Sequence, residues 1–250
     1  MNAARQESAL FVSPRKKPNI TRTFPRIITK SPFSSAGIRL EFTTNSRRLA
    51  FGAKTTLGSS RPFCHYDLYV NGVFHGQVGA DTTETSISAE WDLGEGEKEV
   101  KLYLPWSATT TLTRVILDND ASLIPAKKSR RMLIYGDSIT QGYDTLRPSL
   151  SYASLLADAL DAEAFDKGIG GERFRPALAE ATPLIDPDLI TVAYGTNAGR
   201  APLLRNLRKT AVVFLKRFRK STPMQKSLPS PLFGAPITPA VPPPWEISST

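Results

Sequence analysis

Apolar and polar positions alternate through much of the first half of the chain. Ile38, Leu40 and Phe42 alternate with Arg39, Glu41 and Thr43, the period of two of a half-buried strand. Residues 66–70 and 73–75 form two apolar runs around Asn71-Gly72. That pair predicts a hairpin, because both central residues of a type I′ turn take positive φ. Further short strands are predicted over residues 87–91, 100–104 and 112–117, with turn residues such as Gly94-Glu95-Gly96 between them. Short strands at this spacing predict an antiparallel β-sandwich over residues 36–125.

The rhythm changes after a basic linker at residues 127–131. Met132, Leu133, Ile134 and Tyr135 form a continuous apolar run that ends at Gly136, the pattern of a buried parallel strand. Ser151 can cap a helix whose Tyr152, Leu155, Leu156, Ala159 and Leu160 fall on one face. Ala164-Phe165 predicts a second strand, residues 176–181 a short helix, and residues 189–194 a third strand. Strand, helix, strand, helix, strand predicts the first half of a doubly wound, flavodoxin-like α/β domain over residues 126–199. A helical pattern through Leu207, Val212, Val213, Leu215 and Phe218 follows, and the last 28 residues have no periodicity.

Composition sharpens this division. The 250 residues are 40% hydrophobic, enough for a packed core and not the composition of a disordered chain. The net charge of +9 is unevenly spread. Residues 1–35 hold seven basic and one acidic residue, and residues 198–250 hold nine and one, whereas residues 36–197 hold sixteen basic and twenty-one acidic. An acidic body therefore carries a basic tail (1–35) and an irregular, basic, proline-rich tail (200–250). With the excess charge in the tails and no basic groove interleaved with aromatics in the body, no nucleic-acid partner is expected. No apolar run approaches the ~20 residues that cross a bilayer, and the start lacks the apolar core of an export signal. No membrane partner and a cytoplasmic location are expected. The single cysteine, Cys64, excludes an internal disulfide and a multi-cysteine metal site.

Three polar motifs follow the three predicted α/β strands: Gly136-Asp137-Ser138-Ile139-Thr140, Lys167-Gly168-Ile169-Gly170-Gly171 and Gly195-Thr196-Asn197. Ligands bind at the carboxyl ends of strands in an open parallel sheet, so the motifs are expected to converge on one crevice. In this order the three blocks resemble the GDSL or SGNH hydrolase family over about residues 132–197. The preceding strands resemble the jelly-roll module of family esterases that act on acetylated carbohydrates. The resemblance implies that Ser138 is the nucleophile, with its own N–H, the N–H of Gly168 and the amide of Asn197 forming an oxyanion hole. It implies a serine esterase removing a short acyl group from a small-molecule or carbohydrate ester, with no cofactor and no metal. The other expectation is a non-catalytic carbohydrate-binding or scaffold protein with a vestigial hydrolase half.

Family members also carry a His with an Asp three residues before it near the C-terminus. The chain has only His65 and His75, both in the predicted sandwich, so impaired activity is expected. The pattern fails at Ala198, and codons shifted by one base would spell a helix end, an alternating strand and a loop across residues 216–239. An out-of-frame or truncated C-terminal part is the expectation that follows.

Overall fold

The computed structural model describes residues 34–81, 86–179, 185–198, 212–214 and 216–217. Its first half consists of β1 (Arg39–Thr44), β2 (Arg48–Leu57), β3 (Cys64–Val70), β4 (Val73–Ala80), β5 (Ser86–Asp92), β6 (Lys98–Tyr103), β7 (Ala108–Leu117) and the two-residue β8 (Ile124–Pro125). All pair antiparallel, in one sheet of order β4-β3-β6-β1-β8 and another of order β5-β2-β7. Phe42, Tyr66 and Val100 from the first sheet and Phe51, Ile87 and Leu112 from the second share one buried cluster, which makes the pair of sheets a sandwich. The hairpin between β3 and β4 turns at Asn71 and Gly72 with φ of 49° and 76°, as the Asn-Gly pair predicts.

Strand β2 and the short β8 are the additions to the predicted set, and β2 is the longer of them. Its residues Leu49–Ala53 are buried without alternation: Leu49, Phe51 and Ala53 face the core, while Ala50 and Gly52 between them are too small to project into solvent. The register shifts between Gly52 and Ala53, and the Arg114 side chain lies over Gly52, where a Cβ would come within 2.8 Å of its Cγ. Ser34 and Ser35, assigned by composition to the tail, are buried. The Ser35 N–H donates to Ala108 O and its Oγ accepts from Thr110 N.

The second half contains β9 (Arg130–Gly136), α1 (Ser138–Gln141), α2 (Tyr152–Ala159), β10 (Ala162–Gly168) and β11 (Leu189–Ala193). The strands form a parallel sheet of order β10-β9-β11. Ser151 caps α2, its Oγ accepting from Ser154 N, and Leu156 and Leu160 pack toward the sheet as predicted, but the buried face is centred elsewhere. Leu155 is 51% exposed, while Ala153 and Ala157 are buried against Met132 and Ile134. Small side chains let the helix lie close on the sheet, which the larger residues would prevent. The short helix expected from Pro176 is a 3-10 turn over Pro176–Ala179, and Ala181 lies outside the described residues.

On the other face of the sheet, Leu133 and Tyr135 pack against Phe214. Phe214 is fully buried, whereas Val212 and Val213, both expected on the apolar stripe, are 44% and 39% exposed. Leu207, Leu215 and Phe218 lie outside the described residues.

The two halves meet through polar groups. Asp158 of α2 accepts from Arg39 and Lys101 at 3.0 Å each and from the Tyr103 hydroxyl at 2.5 Å. Glu41 pairs with Arg39, Lys101 and Lys128. Asp67 of β3 is completely buried and accepts from Ser149 N at 3.0 Å, Ser149 Oγ at 2.6 Å and Gln77 Nε2 at 3.1 Å. Arg147 beside it stacks 3.7 Å over the Phe74 ring. Removing the Asp67 carboxylate leaves a buried N–H without its acceptor. Asp67→Ala is therefore expected to destabilise the protein by about 2–3 kcal/mol, measured as a lowered urea midpoint at constant m-value.

Candidate active site

The site begins where β9 runs out. Asp137 is buried and caps α1, its carboxylate accepting from Ile139 N at 3.1 Å. Ser138 is the first residue of that helix, where backbone N–H groups have no partner within the helix. The Thr140 side chain folds back over Gly136, where a Cβ would lie 1.8 Å from Thr140 Oγ1 and 2.8 Å from Ala193 O. Only glycine fits there. The Thr140 hydroxyl is held at 2.6 Å from the Tyr152 hydroxyl, and Gly142 closes the helix at φ 101°.

Gly168 ends β10 against the backbone of α1, and a Cβ on it would lie 2.3 Å from Gln141 N. Its N–H donates to Asp166 Oδ1 at 2.7 Å. Gly168 is thus a packing residue whose N–H is already engaged, which departs from the free donor implied by the family resemblance. The loop beyond it is tied twice: Ile169 N donates to Gly136 O at 3.1 Å, and Gly170 N donates to Gln141 Oε1 at 2.8 Å. It then turns by a bond from Glu172 N to Ile169 O, with Gly171 at φ 76° and open space where its side chain would be. Among the described residues nothing accepts the Gly171 N–H. The sequence contains Gly168, Gly170 and Gly171 with no local signal to rank them; the Asp166 bond is what separates them.

Asn197 lies in a 3-10 turn, Thr196–Ala198, just after β11. Its Nδ2 donates to Glu172 O at 3.0 Å, which joins this segment to the glycine loop. The Ser138, Gly168 and Asn197 segments are therefore brought together at the carboxyl end of one parallel sheet. An open cleft of about 230 Å³ lies alongside, lined by Asp137 and Ile139 on either side of Ser138 and by Thr140, Tyr152, Tyr194 and Gly195.

Neither histidine reaches this place. His65 pairs with Asp81 at 3.2 Å, and His75 Nε2 lies 2.8 Å from Asp92 O. Among the described residues no group of three His, Cys, Asp or Glu side chains is arranged to hold a metal ion. Burial pushes the Asp166 carboxyl up to about 7, against the opposing pull of the Gly168 N–H and of Lys167.

Residues 134–249 match the model of the GDSL-like Lipase/Acylhydrolase family. The match runs through the C-terminal stretch that the sequence pattern sets aside as tail. Among solved structures, the salicylyl-acyltransferase SsfX3 from a tetracycline biosynthetic pathway is 24% identical, with a TM-score of 0.63 over 76% of this chain and 56% of that one. A protein from Bacteroides ovatus described as a GDSL-like lipase is 23% identical, with a TM-score of 0.64 over 76% of this chain and 59% of that one. An acetyl xylan esterase from the rumen bacterium Butyrivibrio proteoclasticus is 18% identical, with a TM-score of 0.57 over 80% of this chain and 75% of that one. These likenesses show the fold. The chain covers little more than half the length of the first two. No curated protein matches it in sequence.

Two outcomes are expected. Gly168→Ala must displace the backbone of α1 and is expected to cost at least about 2 kcal/mol, whereas Gly171→Ala meets only the positive-φ penalty of about 1–2 kcal/mol; paired urea titrations measure both. Asp166 keeps its proton in the folded state up to about pH 7, while the unfolded carboxyl loses it near pH 4. The folded state then binds more protons over this window, so stability falls as pH rises from about 4 to 7 and levels off above. Asp166→Asn keeps an acceptor for Gly168 N–H and is expected to remove this fall, read as urea midpoints across that range.

Proposed function

Because residues 134–249 match the model of the GDSL-like Lipase/Acylhydrolase family, we propose that the protein is a serine ester hydrolase that removes a short acyl group, acetyl above all, from a carbohydrate-like ester. The observation that carries this reading is the junction of three strand-end segments around the first residue of α1: Asp137 caps the helix, the glycine loop packs on it, and Asn197 is tied to that loop.

Ser138 Oγ attacks the ester carbonyl carbon and gives up its proton to solvent water. The carbonyl π bond breaks and leaves the negative charge on oxygen. Collapse of that intermediate expels the sugar alkoxide, which takes up a proton, and leaves an acyl-serine. Water then attacks the same carbon by the same route and releases the acid. The charge on oxygen is met by preorganised donors: the Ser138 N–H at the helix start, the amide of Asn197 and an N–H of the glycine loop. Since the Gly168 N–H serves Asp166, that last share falls to Gly171. An open cleft lined by the neighbours of Ser138 and Asn197, though not by those two residues themselves, has the volume of a small acyl group. The fold shared with an acetyl xylan esterase supports an acetylated carbohydrate as the substrate class.

No histidine of the chain lies at the site, so the serine works without the usual imidazole base. Acceleration then rests on oxyanion stabilisation and positioning, on the order of 10³–10⁴ over water. The same absence favours the second reading, a carbohydrate-binding protein with a vestigial hydrolase half.

Slow hydrolysis of p-nitrophenyl acetate is expected, lost to background in Ser138→Ala and lowered about 100-fold in kcat by Asn197→Ala. Hydrolysis unchanged by Ser138→Ala refutes the ester-hydrolase reading. Xylo-oligosaccharide binding without any Ser138-dependent turnover supports the second.

A further inference from the structure

Gln141 is buried at 6% exposure three residues after Ser138, and its amide is fully engaged with groups from three different segments. Its Oε1 accepts from Gly170 N at 2.8 Å. Its Nε2 donates to Ser34 Oγ at 3.2 Å and to Trp106 O at 3.3 Å, both in the sandwich half. Its own backbone lies in helix α1 against Gly168. One side chain therefore ties the nucleophile helix, the glycine loop and the antiparallel half together.

We propose that Gln141 is a positioning residue for the oxyanion hole, fixing the glycine loop so that the next N–H, that of Gly171, points to where the oxyanion forms. Gly170 and Gly171 are consecutive, Gly171 has no side chain that could restrain it, and its φ of 76° is accessible to glycine alone at little cost. Three bonds hold the loop after Gly168 from outside, Ile169 N to Gly136 O, Gly170 N to Gln141 Oε1 and Asn197 Nδ2 to Glu172 O, and the one to Gln141 fixes the residue immediately before Gly171. Oxyanion donors act through fixed aim, and loss of aim by a fraction of an ångström removes most of their effect. Ser34 and Trp106 complete the device: they turn the Gln141 amide so that its oxygen, not its nitrogen, faces Gly170. The sandwich is thereby part of the catalytic apparatus.

The inference rests on the ester-hydrolase reading, and its test has one readout that does not. In Gln141→Met, which keeps volume and loses the amide, kcat for p-nitrophenyl acetate is expected to fall about tenfold with KM within about twofold. Amide hydrogen exchange is expected to rise at residues 170–172 and stay unchanged in β9 and β10. Gln141→Glu keeps an acceptor for Gly170 N and is expected to recover most of kcat at mildly acidic pH, where its proton can serve the Trp106 carbonyl. Ser34→Ala is expected to shift both readouts in the same direction by a smaller amount, and it serves if the methionine variant does not fold. Unchanged loop exchange in Gln141→Met, or exchange that rises uniformly through the parallel sheet, overturns the proposal. If hydrolysis proves insensitive to Ser138→Ala, the ester-hydrolase reading fails by itself and loop exchange alone decides whether Gln141 positions the loop.

Discussion

Two strand ends meet helix α1 with no room for a methyl group between them. A Cβ on Gly136 would overlap Thr140, and one on Gly168 would overlap the backbone of Gln141. This is a steric constraint rather than an attraction, and it sets the distance between the parallel sheet and the short helix that carries Ser138. At Gly168 the contact is backbone against backbone, so it cannot be relieved by a change of rotamer, and densely packed interiors transmit such displacements. The Asp137 cap, the Ile169–Gly136 hydrogen bond and the Gln141 tie all depend on that closeness.

The join between the halves follows a different logic. It is built from Asp67, Asp158 and Glu41 facing arginines, lysines, a tyrosine and a serine. Charged and hydrogen-bonded contacts of this kind add less net stability than apolar burial, but they require one relative placement, since any other leaves buried charges without partners. The acidic excess of residues 36–197 is partly spent here, on cations of the body itself. The overall positive charge of the chain thus says little about how its folded part is held together.

What was legible in the sequence follows from how local its determinants are. The Asn71-Gly72 turn, the apolar run of β9 and the Ser151 cap each depend on a few neighbouring residues, and each is found in the structure. Strand β2 was hidden because small residues between its core-facing ones erase alternation, and the glycine and alanines in its middle have low strand preference. The predicted face of α2 holds in part: Leu156 and Leu160 pack against the cluster at β9, but Ala153 and Ala157 are its buried members and Leu155 turns to solvent. At the site, the blocks around Ser138, Gly168 and Asn197 were visible as motifs. The engagement of the Gly168 N–H by Asp166 and the bridging role of Gln141 were not, since both depend on residues brought near only by the fold.

The Phe214 ring lies 6.3 Å from that of Tyr135, 5.7 Å from Phe174 and 5.9 Å from Tyr194. These rings cover the face of the sheet opposite α2. A fragment ending before Phe214 would keep every recognisable motif and still uncover that aromatic face to water. The parallel sheet thus takes part of its cover from a residue well past the last of the three motifs, so the motifs alone do not mark where its packing ends.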